Sequence, residues 1–85
     1  MKYKISRDIL ETNIGKELII LELEEGNYLK LNETAAHIWE RIKLNTTYDS
    51  VVYELKKEFF SYPTVGNDVK LFFEQAKSLK IIKDN

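Results

Sequence analysis

The sequence predicts an α+β fold in which a three-stranded antiparallel sheet precedes three helices, the last two spaced like a helix-turn-helix. Two observations lead to this prediction. Leu29 and Leu31 alternate with Tyr28 and Lys30 in a period of two, and from Ala35 onward the apolar residues follow the i, i+3, i+4, i+7 spacing of a helix. One proline and three glycines leave no obvious linker, so we expect a single domain over residues 1–85.

The composition restricts the classes of function. Thirteen basic and fourteen acidic residues leave a net charge of −1, which argues against a nucleic-acid partner, since phosphate binding is driven by a net basic surface. Cysteine is absent, which excludes disulfides and thiolate chemistry. No apolar run has the length of a signal peptide or a membrane span, which favours a cytoplasmic protein without a membrane partner.

Three strands are predicted in the first third of the chain. Residues 2–12 are interpreted as one edge strand, and residues 18–23 are nearly all apolar, as is typical of a central strand. Gly15 and Gly26 are placed for turns that require a positive φ. The second turn leads into residues 28–31, the third strand. The simplest pairing is a meander that leaves this third strand at an edge.

Two of the three predicted helices follow directly. The first is expected at residues 33–44, with Asn32 as its N-cap, because an asparagine side chain accepts an unpaired N–H of the first helical turn. The second begins after a cap at Thr46 or Thr47. It is expected to stop at Ser61-Tyr62-Pro63, because proline disfavours helical geometry in the residue before it.

The third helix is predicted to begin near Thr64 and to carry two stripes of side chains. The core stripe consists of Val65, Val69, Phe72, Phe73, Ala76 and Leu79. At 3.6 residues per turn, a second stripe of mixed polarity lies beside it and consists of Asp68, Leu71, Gln75, Ser78 and Ile82. This second stripe is a candidate wall of a groove.

No catalytic or metal-binding constellation is recognisable. His37 is the single histidine, so neither a two-histidine metal site nor a Ser-His-Asp triad can be assembled within the chain. The three glycines are isolated, which excludes a glycine-rich phosphate loop. Glu22, Glu24 and Glu25 are interpreted as a solvated hairpin tip rather than an acid–base pair. We therefore expect a protein that is not an enzyme and that uses no cofactor.

The segment between the third strand and the first helix resembles the signature of the PqqD-like family, the peptide chaperones named for pyrroloquinoline quinone biosynthesis. The residues that carry the resemblance are Leu31-Asn32-Glu33-Thr34-Ala35-Ala36-x-Ile38, followed by Trp39. The run Asp68-Val69-x-x-Phe72-Phe73 is similar to the family's third helix. The resemblance covers residues 18–82. The chain departs from the family before Ile81-Ile82, where Lys80 stands in place of the usual glycine.

This resemblance implies a RiPP recognition element, a winged helix-turn-helix that binds the leader of a ribosomally synthesised, post-translationally modified peptide. In such proteins the leader pairs antiparallel with the third strand and lies in the cleft between that strand and the third helix. The implied peptide-binding residues are Tyr28, Leu29, Lys30, Leu31, Asp68, Leu71, Phe72, Gln75 and Leu79. The implied partners are a precursor leader peptide and a modifying enzyme, such as a radical SAM enzyme or a leader protease.

Two other functions stay open on the residues alone. A small winged-helix DNA-binding regulator would use the third helix for recognition, with Lys70, Lys77 and Lys80 on phosphates. The net charge opposes this reading, as do Asp68 and Glu74 on the same helix. The third candidate is a dimerisation domain that pairs its third strand with a second copy.

Overall fold

The computed structural model describes residues 1–59 and 63–85 and confirms the α+β architecture. The elements in chain order are β1 (Tyr3–Ile5), β2 (Ile9–Ile14), β3 (Glu17–Glu22), β4 (Asn27–Leu31), α1 (Glu33–Leu44), α2 (Tyr48–Glu58), α3 (Val65–Ser78) and β5 (Ile82–Asp84). None of the described helices combines the length and the apolar character that crossing a membrane requires.

The three strands β2, β3 and β4 form the predicted antiparallel meander, with β4 at one edge. Gly15 has φ 64° and Gly26 has φ 78°, so both turns use the left-handed conformation that glycine adopts without strain. Ile20 lies opposite Leu29 in the register, and both side chains point toward the helices and are buried. One face of the sheet is therefore part of the core.

The prediction of a single strand over residues 2–12 is wrong. The chain leaves the extended conformation between Ile5 and Ile9, and β1 pairs with β5 instead of continuing into β2. The C-terminal strand β5 was not predicted. Ile82, which was assigned to the second stripe of the third helix, lies in β5, is buried, and pairs with Ile5. The reason is that α3 ends at Ser78, one turn before Ile82.

The predicted helix starts are confirmed. Asn32 Oδ1 accepts a hydrogen bond from Ala35 N at 2.8 Å and caps α1. Thr47 Oγ1 accepts from Ser50 N at 3.2 Å and caps α2. The last residue of α2 is Glu58, whereas Ser61 and Tyr62, on which the predicted helix stop depends, lie outside the described residues.

The end of α3 explains the departure from the family pattern at Lys80. Lys80 has φ 65°, the left-handed conformation that a glycine would adopt there. Its N–H donates to Lys77 O at 3.1 Å, and Ile81 N–H donates to Ala76 O at 2.9 Å. These two bonds form a Schellman motif, the usual partner of a left-handed residue after a helix. The helix therefore ends in the left-handed turn that a glycine favours, although the residue there is a lysine.

The core joins the inner sheet face to all three helices. Trp39 of α1 is buried, and the centroids of its indole and of the Phe72 ring on α3 are 6.4 Å apart. Tyr3 packs edge-on against Phe73 and donates a hydrogen bond from Oη to Ile42 O at 2.6 Å. The contact between Trp39 and Phe72 holds the middle of α3 beside the first half of α1.

Candidate functional site

The first component of the site is the free edge of β4. Within residues 1–59 and 63–85, β4 pairs with β3 alone, so its other edge has no partner strand. Alternate residues of a strand direct their N–H and C=O groups to opposite sides, so half of these groups in β4 point away from β3. The strand contains no proline. It is therefore an open template for an added strand.

The side chains of β4 divide between two faces. Leu29 and Leu31 are buried in the core, whereas Tyr28 and Lys30 are exposed on the opposite face. The four predicted residues therefore offer main-chain groups at the edge, and Tyr28 and Lys30 alone offer accessible side chains. The two leucines hold the strand in place.

The second component is a groove between the first half of α1 and the middle of α3. It encloses about 320 Å³ and begins beside Asn32, the residue that follows β4. The residues that line it are Asn32, Thr34, Ala35, Ile38, Asp68, Leu71, Phe72 and Gln75. The end of β4 and the groove are thus adjacent.

The groove combines an apolar floor with polar walls. Phe72 is only 6% exposed, whereas Leu71 is 53% exposed, so Phe72 supplies the floor and Leu71 an accessible rim. The Asp68 carboxylate makes one long hydrogen bond, accepted from Thr64 Oγ1 at 3.5 Å. With Gln75 it provides an acceptor and an amide beside an apolar surface. Such a groove suits an apolar side chain flanked by a hydrogen-bond donor.

The predicted site residues fall into three groups. Asp68, Leu71, Phe72 and Gln75 line one groove. Residues 28–31 form the free edge next to it. Leu79 is not among the groove residues; it lies half-buried after α3, where its carbonyl accepts a hydrogen bond from Asn27 Nδ2 at 3.1 Å. Leu79 therefore sits at the start of β4, whereas the groove sits at its end.

The sequence did not predict that α1 contributes a wall of the groove. Thr34 and Ile38 are four residues apart and therefore lie on one side of α1. That spacing is a usable signal, although Ile38 itself is buried in the core. Only the packing of α1 against α3 shows that the same side borders a groove.

The described residues hold no cluster of three or more potential metal ligands. His37 Nδ1 lies 3.6 Å from Glu58 Oε1, and its ring packs against Phe59 on the exposed side of α1. The prediction that Glu22 belongs to a solvated tip is wrong. Its carboxylate is buried and accepts hydrogen bonds from the N–H groups of Glu24 and Glu25, at 2.8 and 3.2 Å. Glu22 therefore stabilises the turn before β4.

A free strand edge beside a groove, on a small sheet backed by three helices, defines a module suited to taking an extended segment into its sheet. The residues that build this site lie within the part of the chain that matches a known family. The chain belongs to the family described as coenzyme PQQ synthesis protein D (PqqD), whose model matches residues 17–82. The family resemblance seen in the sequence is thereby confirmed.

Two solved structures share this fold. One is TbiB1 in complex with the TbiA(beta) leader peptide, with 25% identity and a TM-score of 0.76 over 93% of each chain. The other is a lasso peptide synthetase B1 complexed with the leader peptide, with 20% identity and a TM-score of 0.75. It covers 96% of this chain and 98% of its own, and it supports the fold alone. A search among curated proteins finds no match.

Proposed function

We propose that this chain is a non-catalytic peptide chaperone that binds the leader of a ribosomally synthesised, post-translationally modified precursor peptide. The leader adds as a strand to the free edge of β4 and is presented to a modifying enzyme or a leader protease. The observation that carries the proposal is the open edge of β4 directly beside the groove of α1 and α3. We propose further that residues 1–85 form a single domain and that the protein works in the cytoplasm.

Antiparallel addition to β4 fixes the direction of the bound leader. The strand runs from Asn27 to Leu31, so an antiparallel leader begins near Leu31 and the groove, and it ends near Asn27. The side chains of the leader alternate between the two faces. Those directed inward meet α3, and those directed outward lie beside Tyr28 and Lys30. The peptide continues past the turn at Gly26 toward the enzyme.

Recognition of a particular leader depends on the groove. Main-chain hydrogen bonds to β4 are available to any extended peptide, so they supply affinity without selectivity. Selectivity requires side-chain contacts, which Leu71 and Phe72 offer to an apolar residue and Asp68 and Gln75 offer to a polar one. We assign these four residues the role of distinguishing the cognate leader from other peptides.

Family membership and the leader peptide held by TbiB1 both support this proposal. The DNA-binding alternative gains no support. Lys77, one of the three lysines expected on phosphates, forms an ion pair with Asp84 at 2.7 Å. Asp68 also places a negative charge on the proposed recognition helix.

Titration calorimetry tests the proposal with the leader of a precursor peptide encoded beside this gene. We expect a dissociation constant of about 1 μM or lower, which corresponds to about −8 kcal/mol. Hydrogen exchange of alternate amides in β4 is expected to slow on binding, because free donors become paired. A scrambled leader of the same composition is the control. Absence of heat with the cognate leader, or tight and salt-sensitive retention of duplex DNA, contradicts the proposal.

A further inference from the structure

The face of the β2–β3–β4 sheet that points away from the helices carries an exposed apolar surface. We call it the outer sheet face and define it by Leu10, Ile14, Ile19, Leu21 and Tyr28. The register aligns Leu10, Leu21 and Tyr28 in one row across all three strands. Leu10 is 51% exposed and Tyr28 is 62% exposed, so water reaches this row.

The composition of the outer sheet face is that of an interface centre. Its central row is uncharged, the next row carries Thr12, Ile19 and Lys30, and the row beyond pairs Ile14 with Glu17, so the two charges lie outside the central row. The centres of protein interfaces are depleted in charge and enriched in aromatic residues, and tyrosine is frequent among the residues that dominate binding energy. The central row of the outer sheet face therefore has the character of an interface centre.

The outer sheet face is continuous with the proposed leader site. A strand added to β4 becomes the fourth strand of the same sheet, and its outward side chains stand next to Tyr28 and Lys30. The bound leader therefore widens this face. A protein docked there contacts the chaperone and the peptide together, whereas a protein docked on the helices does not.

We propose that the outer sheet face docks the modifying enzyme that acts on the bound peptide, with the leader strand forming part of the docking surface. This inference rests on the proposed function. At about 4.8 Å per strand and 3.3 Å per residue, three strands of five residues span roughly 240 Å², well below the about 800 Å² per partner of a stable interface. The face alone is therefore too small for a stable dimer of this chain. An enzyme that also holds the leader gains the missing contact from the peptide.

The test uses the full chain, its leader, and the purified peptide-modifying enzyme encoded beside this gene. Leu10→Thr and Ile14→Thr keep residues that favour strands but remove apolar surface. Each is expected to weaken binding of the enzyme to the chaperone–leader complex by about tenfold, the effect of truncating one important interface residue. Leader affinity is expected to be unchanged, because β2 lies two strands away from the β4 edge.

Leu44→Thr is the matched control, since Leu44 is an exposed aliphatic residue like Leu10 and Ile14 but lies at the end of α1. We expect it to bind the enzyme normally. The wild-type enzyme affinity is expected to rise when leader is added. The inference is overturned if Leu10→Thr and Ile14→Thr bind the enzyme normally. It is also overturned if the wild-type chain is a dimer and Leu10→Thr converts it to a monomer. Failure of the wild-type chain to bind leader refutes the proposed function instead, and calorimetry without enzyme shows this separately.

Discussion

Lys80 carries strain that a single substitution can relieve. Its φ of 65° brings the Cβ close to the following carbonyl, a conformation that penalises every residue except glycine by about 1–2 kcal/mol. We expect Lys80→Gly to raise the free energy of unfolding by about 0.5–1 kcal/mol, because the greater flexibility of glycine in the unfolded chain offsets part of the gain. Urea unfolding measures the change.

The control makes the same substitution inside a helix. Lys70 is exposed in the middle of α3, so Lys70→Gly is expected to lower the free energy of unfolding by about 1 kcal/mol. If the free energy of unfolding rises for Lys80→Gly and falls for Lys70→Gly, the left-handed conformation at residue 80 is the cause of the gain. A Lys80→Gly protein less stable than the wild type contradicts this account.

Tyr3 makes the stability of the fold sensitive to alkaline pH. Burial, and secondarily the charge of Glu54, raises the pKa of Tyr3 to about 12, from a usual value near 10. The folded state therefore favours the neutral phenol. Its contribution is fully present below pH 10 and is lost as the pH rises from 10 to 12, because the unfolded chain ionises first.

Tyr3→Phe isolates this effect. At pH 7 the variant is expected to be about 1 kcal/mol less stable, because Ile42 O loses its hydrogen-bond donor. The difference in the free energy of unfolding between wild type and variant is expected to shrink as the pH rises above 10. The reason is that the Tyr3 phenol is present in the wild type alone, whereas every other ionising group is common to both proteins. Urea titrations between pH 8 and 11.5 measure it, and a constant difference refutes the assignment.

At the scale of elements, α3 faces the core on one side and the groove on the neighbouring side, and Phe72 contributes to both. Leu71 lies on the groove side and is more than half exposed. We expect Leu71→Ala to weaken leader binding by about tenfold, the loss of a well-placed interface side chain, with an almost unchanged thermal midpoint. Calorimetry and thermal unfolding measure the two properties.

Lys77→Ala controls for changes elsewhere on α3. Lys77 is not a groove residue, and its exposed pair with Asp84 contributes little to stability. We expect this variant to bind a leader without acidic residues normally. If Lys77→Ala loses binding and Leu71→Ala retains it, the leader lies on the other flank of α3.

The elements with strong local signals were predictable from sequence. Residues 33–44 combine a cap at Asn32 with a regular apolar period, and the helix has those bounds in the structure. The strand β5 had no comparable signal. Ile82 becomes a strand residue only by pairing with Ile5, far away in sequence, and Lys80 ends α3 without the glycine that usually marks such a stop.

The wall that α3 contributes to the candidate groove was also predictable, because its signal is local to that helix. The period of 3.6 residues places Asp68, Leu71 and Gln75 on one side of α3 whatever surrounds the helix. The facing wall depends on how α1 crosses α3, which the contact between Trp39 and Phe72 determines. The apolar periodicity of one helix does not show which other helix it packs against or at what angle.

At the scale of the whole molecule, the two ends of the chain close the fold by pairing β1 with β5. Ile82 is buried there against the core. We expect Ile82→Ala to lower the free energy of unfolding by about 2–5 kcal/mol, the range for removing most of a buried isoleucine. The fluorescence of Trp39 and the far-UV circular dichroism are expected to shift together, because a small domain unfolds as one unit.

The neighbouring Lys83 provides the control for Ile82→Ala. Its side chain is exposed on the same strand, so Lys83→Ala is expected to change the free energy of unfolding by less than about 0.5 kcal/mol. Separate transitions for fluorescence and circular dichroism in the Ile82→Ala variant indicate instead that the paired ends open independently of Trp39.

Leu29 and Leu31 anchor the edge strand in the core before any peptide arrives. In the proposed complex the protein therefore gives up little conformational entropy, and nearly all of that loss falls on the leader, at about 1–2 kcal/mol for each backbone residue that becomes fixed. Leaders that already favour extended backbone, through β-branched residues in the paired segment, lose less. Among leaders that make equal contacts, the affinity is then expected to be higher for those whose free backbone is already more extended in solution.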